Sequence, residues 1–400
     1  MAVEAAMAAC KRPWQWLPLR RLASLQRRTN AKSDAVLLAL SSDDGVVPRP
    51  EDGGRQLPSD ATIASYWLVE PDDLVFNPMW AIGGGVGVSQ VAGAVSTAYR
   101  VYQPSADLHP RFLHYYMKSD LAITQYGLVV RGLTTFDRSV TREDLEGMPV
   151  PLPPLEEQRR IADYLDAETA RIDEVIAKKE RLLDRVGERL AAFAYWLTSM
   201  TGQVVPMRRI ATRIQTGTTP PNFHELVADD RTSLPWYSPG DFGDGLDLRS
   251  AERELDPSAR IPIFPPDSTL IVGIGASAGK VNHLDRRASG NQQLTCVTYG
   301  PEVVARFVSW QLYAIPDRLR GLAPYTTLPI LNNDYLASVK LFLPDFGRQL
   351  EVVRELDAAA ETVRSTQAAL ISQIRKLREH RQALITAAVT GQLEIPGAAA

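Results

Sequence analysis

Apolar positions alternate in steps of three and four from Val353 through Leu356, Ala360, Val363, Leu370, Ile374, Leu377 and Leu384 to Ala388, broken only by Gln367 and Arg381. That is the spacing of a coiled-coil seam. Shifted back by 191 residues, the same seam falls on Leu165, Ile172, Ile176, Leu183, Val186, Leu190, Phe193 and Leu197. The pattern predicts two long helices in one register. Such a stripe cannot face water along its whole length, so each helix needs a partner, and the other helix is the nearest one. From Leu155 to Leu197 the rise is on the order of 65 Å at about 1.5 Å per residue. Helix-end signals agree: Pro153-Pro154 stops the preceding strand, Glu156 and Glu157 suit a first turn, Asp345 suits an N-cap, and Gly202 and Gly391 suit C-caps. Periodicity alone also leaves open helices that serve only to dimerise the protein.

Outside the helices the pattern changes to short β-favouring runs between Gly/Pro-rich turns. Tyr66-Trp67-Leu68-Val69, Tyr99-Arg100-Val101-Tyr102, Leu270-Ile271-Val272 and Thr295-Cys296-Val297 read as strands. A short amphipathic helix is expected around Arg111-Phe112 and another around Arg306-Phe307. Each globular segment is long enough for its own core, and a twisted sheet with a few helices is expected in each.

These segments are copies of one another. QWLPLRRLA from Gln15 returns as QVVPMRRIA from Gln203, PRFLHYYM returns as ARFVSWQL, and DDLVF returns as STLIV. VPLPPLEEQRR from Val150 returns more weakly as LFLPDFGRQLE from Leu341, with Pro153 matching Pro344 and Gln158 matching Gln349. A partial third copy closes the chain: Thr390-Gly391-Gln392 and the following LEIP echo Thr201-Gly202-Gln203 and VVP. The repeat is therefore circular, and the two ends of the chain should complete one another in space. The expected class is α+β, with two α/β domains separated by two long antiparallel coiled-coil helices in a pseudo-two-fold circular repeat. Its divisions are a first domain over 1–150, a central helix over 151–202, a second domain over 203–344, and a second helix and tail over 345–400. Arg20-Arg21 and Arg208-Arg209 recur at matching places, which suggests a role common to both halves, such as bridging helix and domain.

A net charge of −3 over 400 residues rules out a wholesale basic coat, so any nucleic-acid contact has to come from local clustering. Two cysteines, Cys10 and Cys296, at unmatched positions give neither a disulfide framework nor metal-ligand spacing, which favours a reducing, cytoplasmic compartment. No apolar run is long enough for a membrane span, and MAVEAAMAACKR does not read as a secretory signal. GIGASAGK from Gly273 to Lys280 fails as a phosphate loop. Ile274 stands where the first glycine is required, Val281 replaces the Mg²⁺-binding hydroxyl, and a turn between strands is expected instead. Asn77-Pro78-Met79-Trp80 lacks the second proline of the amino-methyltransferase signature. The histidines show no metal spacing and the carboxylates no nuclease constellation, so no catalytic residues, metal or cofactor are expected.

PLPPLEEQRRIADYL from Pro151 to Leu165 ahead of a heptad helix, GTTP from Gly217 to Pro220, LPWYSPGD from Leu234 to Asp241 and the circular repeat together resemble the specificity subunit of type I restriction–modification systems. The likeness covers nearly the whole chain. Where the second segment has GTTP, the first has Ser33-Asp34-Ala35. The resemblance implies two target-recognition domains, each reading one half of a split asymmetric sequence in double-stranded DNA, with the helix pair fixing the spacing. It implies two copies of a methyltransferase subunit as partners, a restriction subunit in the larger complex, and S-adenosylmethionine, Mg and ATP on those partners. It also implies a prokaryotic, nucleoid-associated protein of the cytoplasm. Pseudo-two-fold symmetry supports this independently, because one chain then offers two similar surfaces to identical partners while its two domains can differ.

DNA contacts call for Lys or Arg at phosphates and Arg, Asn or Gln at purine edges. In the first domain the candidates are Arg131, Thr134, Thr135 and Arg138 in RGLTTFDRSVTR. In the second they are Thr218, Thr219, Lys280, Arg320, Tyr325, Thr326 and Thr327, all in polar, Gly/Pro-flanked loops. Two other classes of function remain open at this point: a coiled-coil scaffold or adaptor without a DNA role, and an enzyme with an unrecognised site.

Overall fold

The computed structural model describes residue 4 and residues 12–41, 45–49, 58–131, 139–200, 202–221, 233–243, 245–256, 261–321 and 329–395. The chain divides into two compact units, Met1–Ala177 with Gln373–Ala400, and Lys178–Ser372. In the first, β1 (Gln15–Pro18), β2 (Ala23–Gln26), β3 (Leu38–Ser41) and β4 (Gly45–Pro48) precede α1 (Asp60–Ala64). Then come β5 (Trp67–Val69), β6 (Leu74–Phe76), β7 (Val86–Val88), β8 (Gly93–Val95) and β9 (Arg100–Pro104). They are followed by α2 (Pro110–Met117), α3 (Asp120–Val129), α4 (Arg142–Gly147), β10 (Pro149–Leu152) and the long α5 (Leu155–Ser199). The second unit contains β11 (Gln203–Pro206), β12 (Ala211–Thr216), β13 (Leu234–Tyr237), β14 (Arg253–Leu255), β15 (Ser268–Val272), β16 (Val281–Leu284), β17 (Ser289–Gly290) and β18 (Leu294–Tyr299). After these come α6 (Ala305–Tyr313), α7 (Pro316–Arg320), α8 (Asn333–Ser338), β19 (Lys340–Leu343) and the second long helix, α9 (Phe346–Val389).

The repeat in the letters is a repeat in topology. One unit has a four-stranded antiparallel sheet in the order β2-β9-β6-β7, the other has β12-β18-β15-β16, and β1-β10 and β11-β19 form matching ribbons. Central strands are buried on both faces, and successive residues point opposite ways. Leu74 and Phe76 of β6 join the cluster under α2 and α3, whereas Val75 between them packs with Leu38, Val46 and Val95. β15 repeats this, with Ile271 under α6 and its neighbours Leu270 and Val272 on the other side with Phe264 and Leu284.

The long helices run antiparallel. In the first unit Ile172 and Ile176 of α5 pack with Ile374, Leu377 and Leu384 of α9, while Leu165 meets Ile385, Ala388 and Val389. Arg381 donates to Asp173 at 3.0 Å in the same unit. In the second unit Leu190, Ala194 and Leu197 pack with Val352, Leu356 and Ala360. Leu370 is buried as expected, and Leu183, Val186, Val353 and Val363 are half-buried. Phe193 departs from the expected seam. It is 37% exposed and stacks on Trp196 at 6.2 Å, while Ala194 is fully buried in its stead. Leu190-Phe193-Leu197 and Leu190-Ala194-Leu197 satisfy a three-four spacing equally well, and the close-packed helices select the smaller side chain. Asp345 caps α9 by accepting the Arg348 N–H at 3.0 Å, and Gly202 and Gly391 follow the helix ends at φ +106° and +71°. Beyond Gly391, Leu393 and Ile395 join the core that includes Trp14 and Trp16, so the two ends of the chain do complete one unit.

Two devices fasten each sheet to its long helix, and both occur twice. Gln158 is fully buried, accepts the His109 N–H at 2.7 Å and donates to the Asp107 and Pro153 carbonyls at 2.9 and 2.8 Å. Gln349 does the same with the Val304 N–H at 2.8 Å and the Glu302 and Pro344 carbonyls at 3.2 and 3.0 Å. Arg111 and the Tyr115 hydroxyl of α2 converge on Asp166 of α5. At the same repeat positions Arg306 and the Trp310 indole N–H of α6 converge on Asp357 of α9, at 2.8 and 2.9 Å.

His114 of α2 is buried, and its Nδ1 accepts the Val88 N–H at 3.2 Å. Burial, aided by Lys118 and Arg111, holds the imidazole down at about 3, against 6.5 when unperturbed. The folded unit therefore takes His114 neutral, and its contribution is complete above an unfolded pKa of about 6.5 and falls as pH drops from there toward 3. Urea unfolding should show lower stability at pH 5 than at pH 7, with part of the difference abolished in His114→Asn. An identical pH slope in that variant would place the titration elsewhere.

Candidate nucleic-acid interface

Loops from three places meet at one end of the second unit's sheet. Beyond β12, Gly217 runs so close to the β17–β18 turn that a Cβ there would overlap the Gly290 and Asn291 carbonyl oxygens. Thr218 donates its N–H to Gly290 at 2.9 Å, and the Thr219 hydroxyl donates to the exposed Gln292 at 2.8 Å. LPWYSPGD supports this loop. The buried Trp236 donates its indole N–H to the Thr218 carbonyl at 3.4 Å, and Asp241 accepts from the Ser238 N–H and hydroxyl at 2.6 and 2.9 Å, closing the turn after β13.

Gly273 to Lys280 is a turn between β15 and β16, as expected, with Gly275 and Gly279 at φ +105° and +89°. It docks on the same β17–β18 turn, with the Gly273 N–H on the Gln293 carbonyl at 2.7 Å. Arg320, at the end of α7, donates to the Ala278 carbonyl at 3.3 Å, and together with exposed Lys280 it lines a cavity of about 400 Å³. The Thr216 hydroxyl bonds Asn333, the first residue of α8, at 3.3 Å. Thr218, Thr219, Lys280 and Arg320 thus belong to loops gathered at one sheet end. Exposed Gln292 stands among them and was missed by sequence reasoning, while its neighbours brace the turn, Asn291 bonding the Gln293 N–H and side chain at 3.0 Å each and Gln293 donating to the Ile274 carbonyl at 3.4 Å. The run of three amides between two β-favouring segments was the available signal, since such side chains suit purine edges.

The corresponding sheet end of the first unit is built differently. Arg27, Arg100 and Arg142 line a cavity of about 280 Å³ with Trp67, Thr97 and Tyr99. Arg142 pairs with Glu146 at 2.7 Å, and Arg100 donates to the Val140 carbonyl at 3.0 Å. Burial pulls the Arg100 guanidinium below its ordinary value, which an anion in the cavity would offset. Arg131 is 73% exposed and pairs with Asp144 of α4 at 3.5 Å. Thr134, Thr135, Arg138, Tyr325, Thr326 and Thr327 lie outside the described residues.

The recurring arginines do not bridge helix and domain as expected. Arg20, Arg21, Arg208 and Arg209 are all exposed, and none makes a side-chain hydrogen bond or ion pair among the described residues. Cys296 is buried beside Ser268, and burial pushes its thiol up to about 12, which leaves no reactive thiolate at neutral pH. Among the described residues no group of three His, Cys, Asp or Glu side chains could hold a metal ion, and no helix is long and apolar enough to cross a membrane.

The two units thus repeat one scaffold, and their sheet ends carry different polar side chains. Residues 80–183 match the family model described as type I restriction modification DNA specificity domain. The whole fold is similar to that of a chain from a type I restriction–modification system solved in a study of complex assembly and conformational transition. The TM-score is 0.75 at 20% identity, over 96% of this chain and 99% of that one. Similarity also extends to the HsdS subunit from Thermoanaerobacter tengcongensis, with TM-score 0.49 and 20% identity over 96% and 98% of the two chains. For the S subunit of the type I system from M. genitalium the values are 0.40 and 12% over 94% and 96%. The family match lies within residues 80–183, and the likeness to the solved structure is one of fold over nearly the whole chain.

Proposed function

We propose that each unit reads one half of a bipartite, asymmetric sequence in double-stranded DNA, and that α5 and α9 set the distance between the halves. The chain performs no catalysis. It docks two copies of a methyltransferase subunit, which carries S-adenosylmethionine, and a restriction subunit joins in the larger complex, with Mg and ATP on those partners. The assembly works in the prokaryotic cytoplasm, at the nucleoid. The observation that carries this reading is the contrast between the units: strand order, glutamine lock and Arg–Asp brace are the same in both, whereas the sheet ends are arginine-lined in one and rich in Thr and amides in the other. A duplicated scaffold with divergent ends fits one machine reading two different half-sites. A scaffold without a DNA role gives no reason for that divergence.

The helix pair provides the test. Inserting one heptad after Arg181 and another after its repeat counterpart Ser372 keeps the seam in register and adds about 10 Å of rod. At about 3.4 Å per base pair, the spacer between methylated half-sites should lengthen by about three base pairs in the assembled methyltransferase. Methylation mapping of genomic DNA reads this directly. An unchanged spacer with retained methylation would mean that the domains, and not the helices, fix the distance.

A further inference from the structure

We propose that Arg20-Arg21 and Arg208-Arg209 are a matched pair of phosphate-binding dyads, one in each unit, that grip the DNA backbone without reading bases. This inference rests on the DNA reading above and assigns a binding role that the sheet ends do not supply.

Each dyad projects from a rigid turn. Leu19 and Leu22 are buried on either side of Arg20-Arg21, and Met207 and Ile210 on either side of Arg208-Arg209. The Leu19 N–H is held by the Met148 carbonyl at 2.9 Å and the Met207 N–H by the Val339 carbonyl at 2.8 Å, just beyond the ends of α4 and α8. The guanidinium groups have no internal function. Gln158 with Gln349, Arg111 with Arg306 and Asp166 with Asp357 are likewise kept in both copies, and each of those is consumed by contacts inside its own unit. The dyads, by contrast, are kept in both copies and left open to solvent. Two adjacent exposed like charges repel one another, so the fold gains nothing from keeping the pair twice.

A ligand met by both halves has to be independent of the sequence each half reads, since the two reading ends differ. The sugar-phosphate backbone has that property, and the planar guanidinium fork matches phosphate oxygens. Position favours DNA over an acidic face of a repeated protein partner. α4 begins at Arg142, which lines the arginine cavity, and ends at the Arg20-Arg21 turn; α8 begins at Asn333 beside Thr216 and ends at the Arg208-Arg209 turn. Each helix is six residues long. A helix of that length rises about 9 Å, close to three nucleotides along one strand at about 3.4 Å each.

The experiment compares the full-length chain, assembled with its methyltransferase, with Arg20→Ala/Arg21→Ala, Arg208→Ala/Arg209→Ala, the fourfold variant and the corresponding lysine variants. Binding to a mixed-sequence DNA duplex is measured across a salt series, and methylation sites are mapped in parallel. Each alanine pair should reduce the slope of log K against log salt by about 1.8, at about 0.9 per phosphate contact, with the lysine pairs close to wild type. The methylated sequence should not change. Wild-type slopes in every alanine variant would overturn the proposal. So would unchanged slopes together with loss of the methyltransferase on co-purification, which would assign the dyads to a protein partner. A wild-type assembly whose binding ignores salt would refute the DNA reading itself, which separates that failure from failure of the dyads alone.

Discussion

Replacing Gln349 with leucine should destabilise the second unit by on the order of 3 kcal/mol, since a buried unpaired backbone group costs about 1 to 3 kcal/mol and the buried Pro344 carbonyl is orphaned together with the partly buried Val304 N–H and Glu302 carbonyl. The amide bonds the Val304 N–H and the Glu302 and Pro344 carbonyls, and it is 1% exposed. Leucine is of similar size and leaves little room for a replacement water. Gln158→Leu should act alike on the first unit, where the His109 N–H and the Asp107 and Pro153 carbonyls lose their partner. Urea unfolding followed by circular dichroism measures both. A midpoint equal to wild type in either variant would mean that the three groups find other partners, and that the glutamine does not lock domain to helix.

Asp357→Ala should cost on the order of 2 kcal/mol, the next largest effect, through loss of charge-assisted hydrogen bonds. Its carboxylate accepts from Arg306 and from the indole N–H of the fully buried Trp310. The Asp357 side chain is 35% exposed, so solvent screening keeps the ionic part modest and most of the loss falls on Trp310. Asp166→Ala should cost about half as much, roughly 1 kcal/mol, because the Tyr115 hydroxyl retains Thr169 at 3.3 Å. Equal losses in the two variants would contradict this ranking. Chemical unfolding of both in the same buffer decides it.

What the sequence disclosed and what it concealed divide along the range of the interactions. Helix periodicity is local, so the seam, its ends and its register were readable, and the error at Phe193 arose where two spacings fit the same pattern. The duplication was readable because Gln158 and Gln349, or Arg111 and Arg306, are the same residue type at matched places, although their roles as lock and brace required the partners to be seen. The arginine cavity was not readable. Arg27, Arg100 and Arg142 are far apart in the chain, and the pairing of β2 with β9 beside α4 is what brings them together. GTTP and LPWYSPGD were recognised as letters, and the structure gives them one purpose, since Trp236 of the second motif holds Thr218 of the first.

The partition of the chain into units has a consequence for how the protein is born. Lys178–Ser372 is a single uninterrupted stretch, but Met1–Ala177 needs Gln373–Ala400 to finish it. Ile385, Ala388, Val389 and Ile395 seal a core whose other residues left the ribosome hundreds of codons earlier. During vectorial synthesis the downstream half can mature first. The upstream half waits for Gln373–Ala400 to emerge, so a chain cut ahead of that stretch would be finished at its middle and unfinished at its beginning.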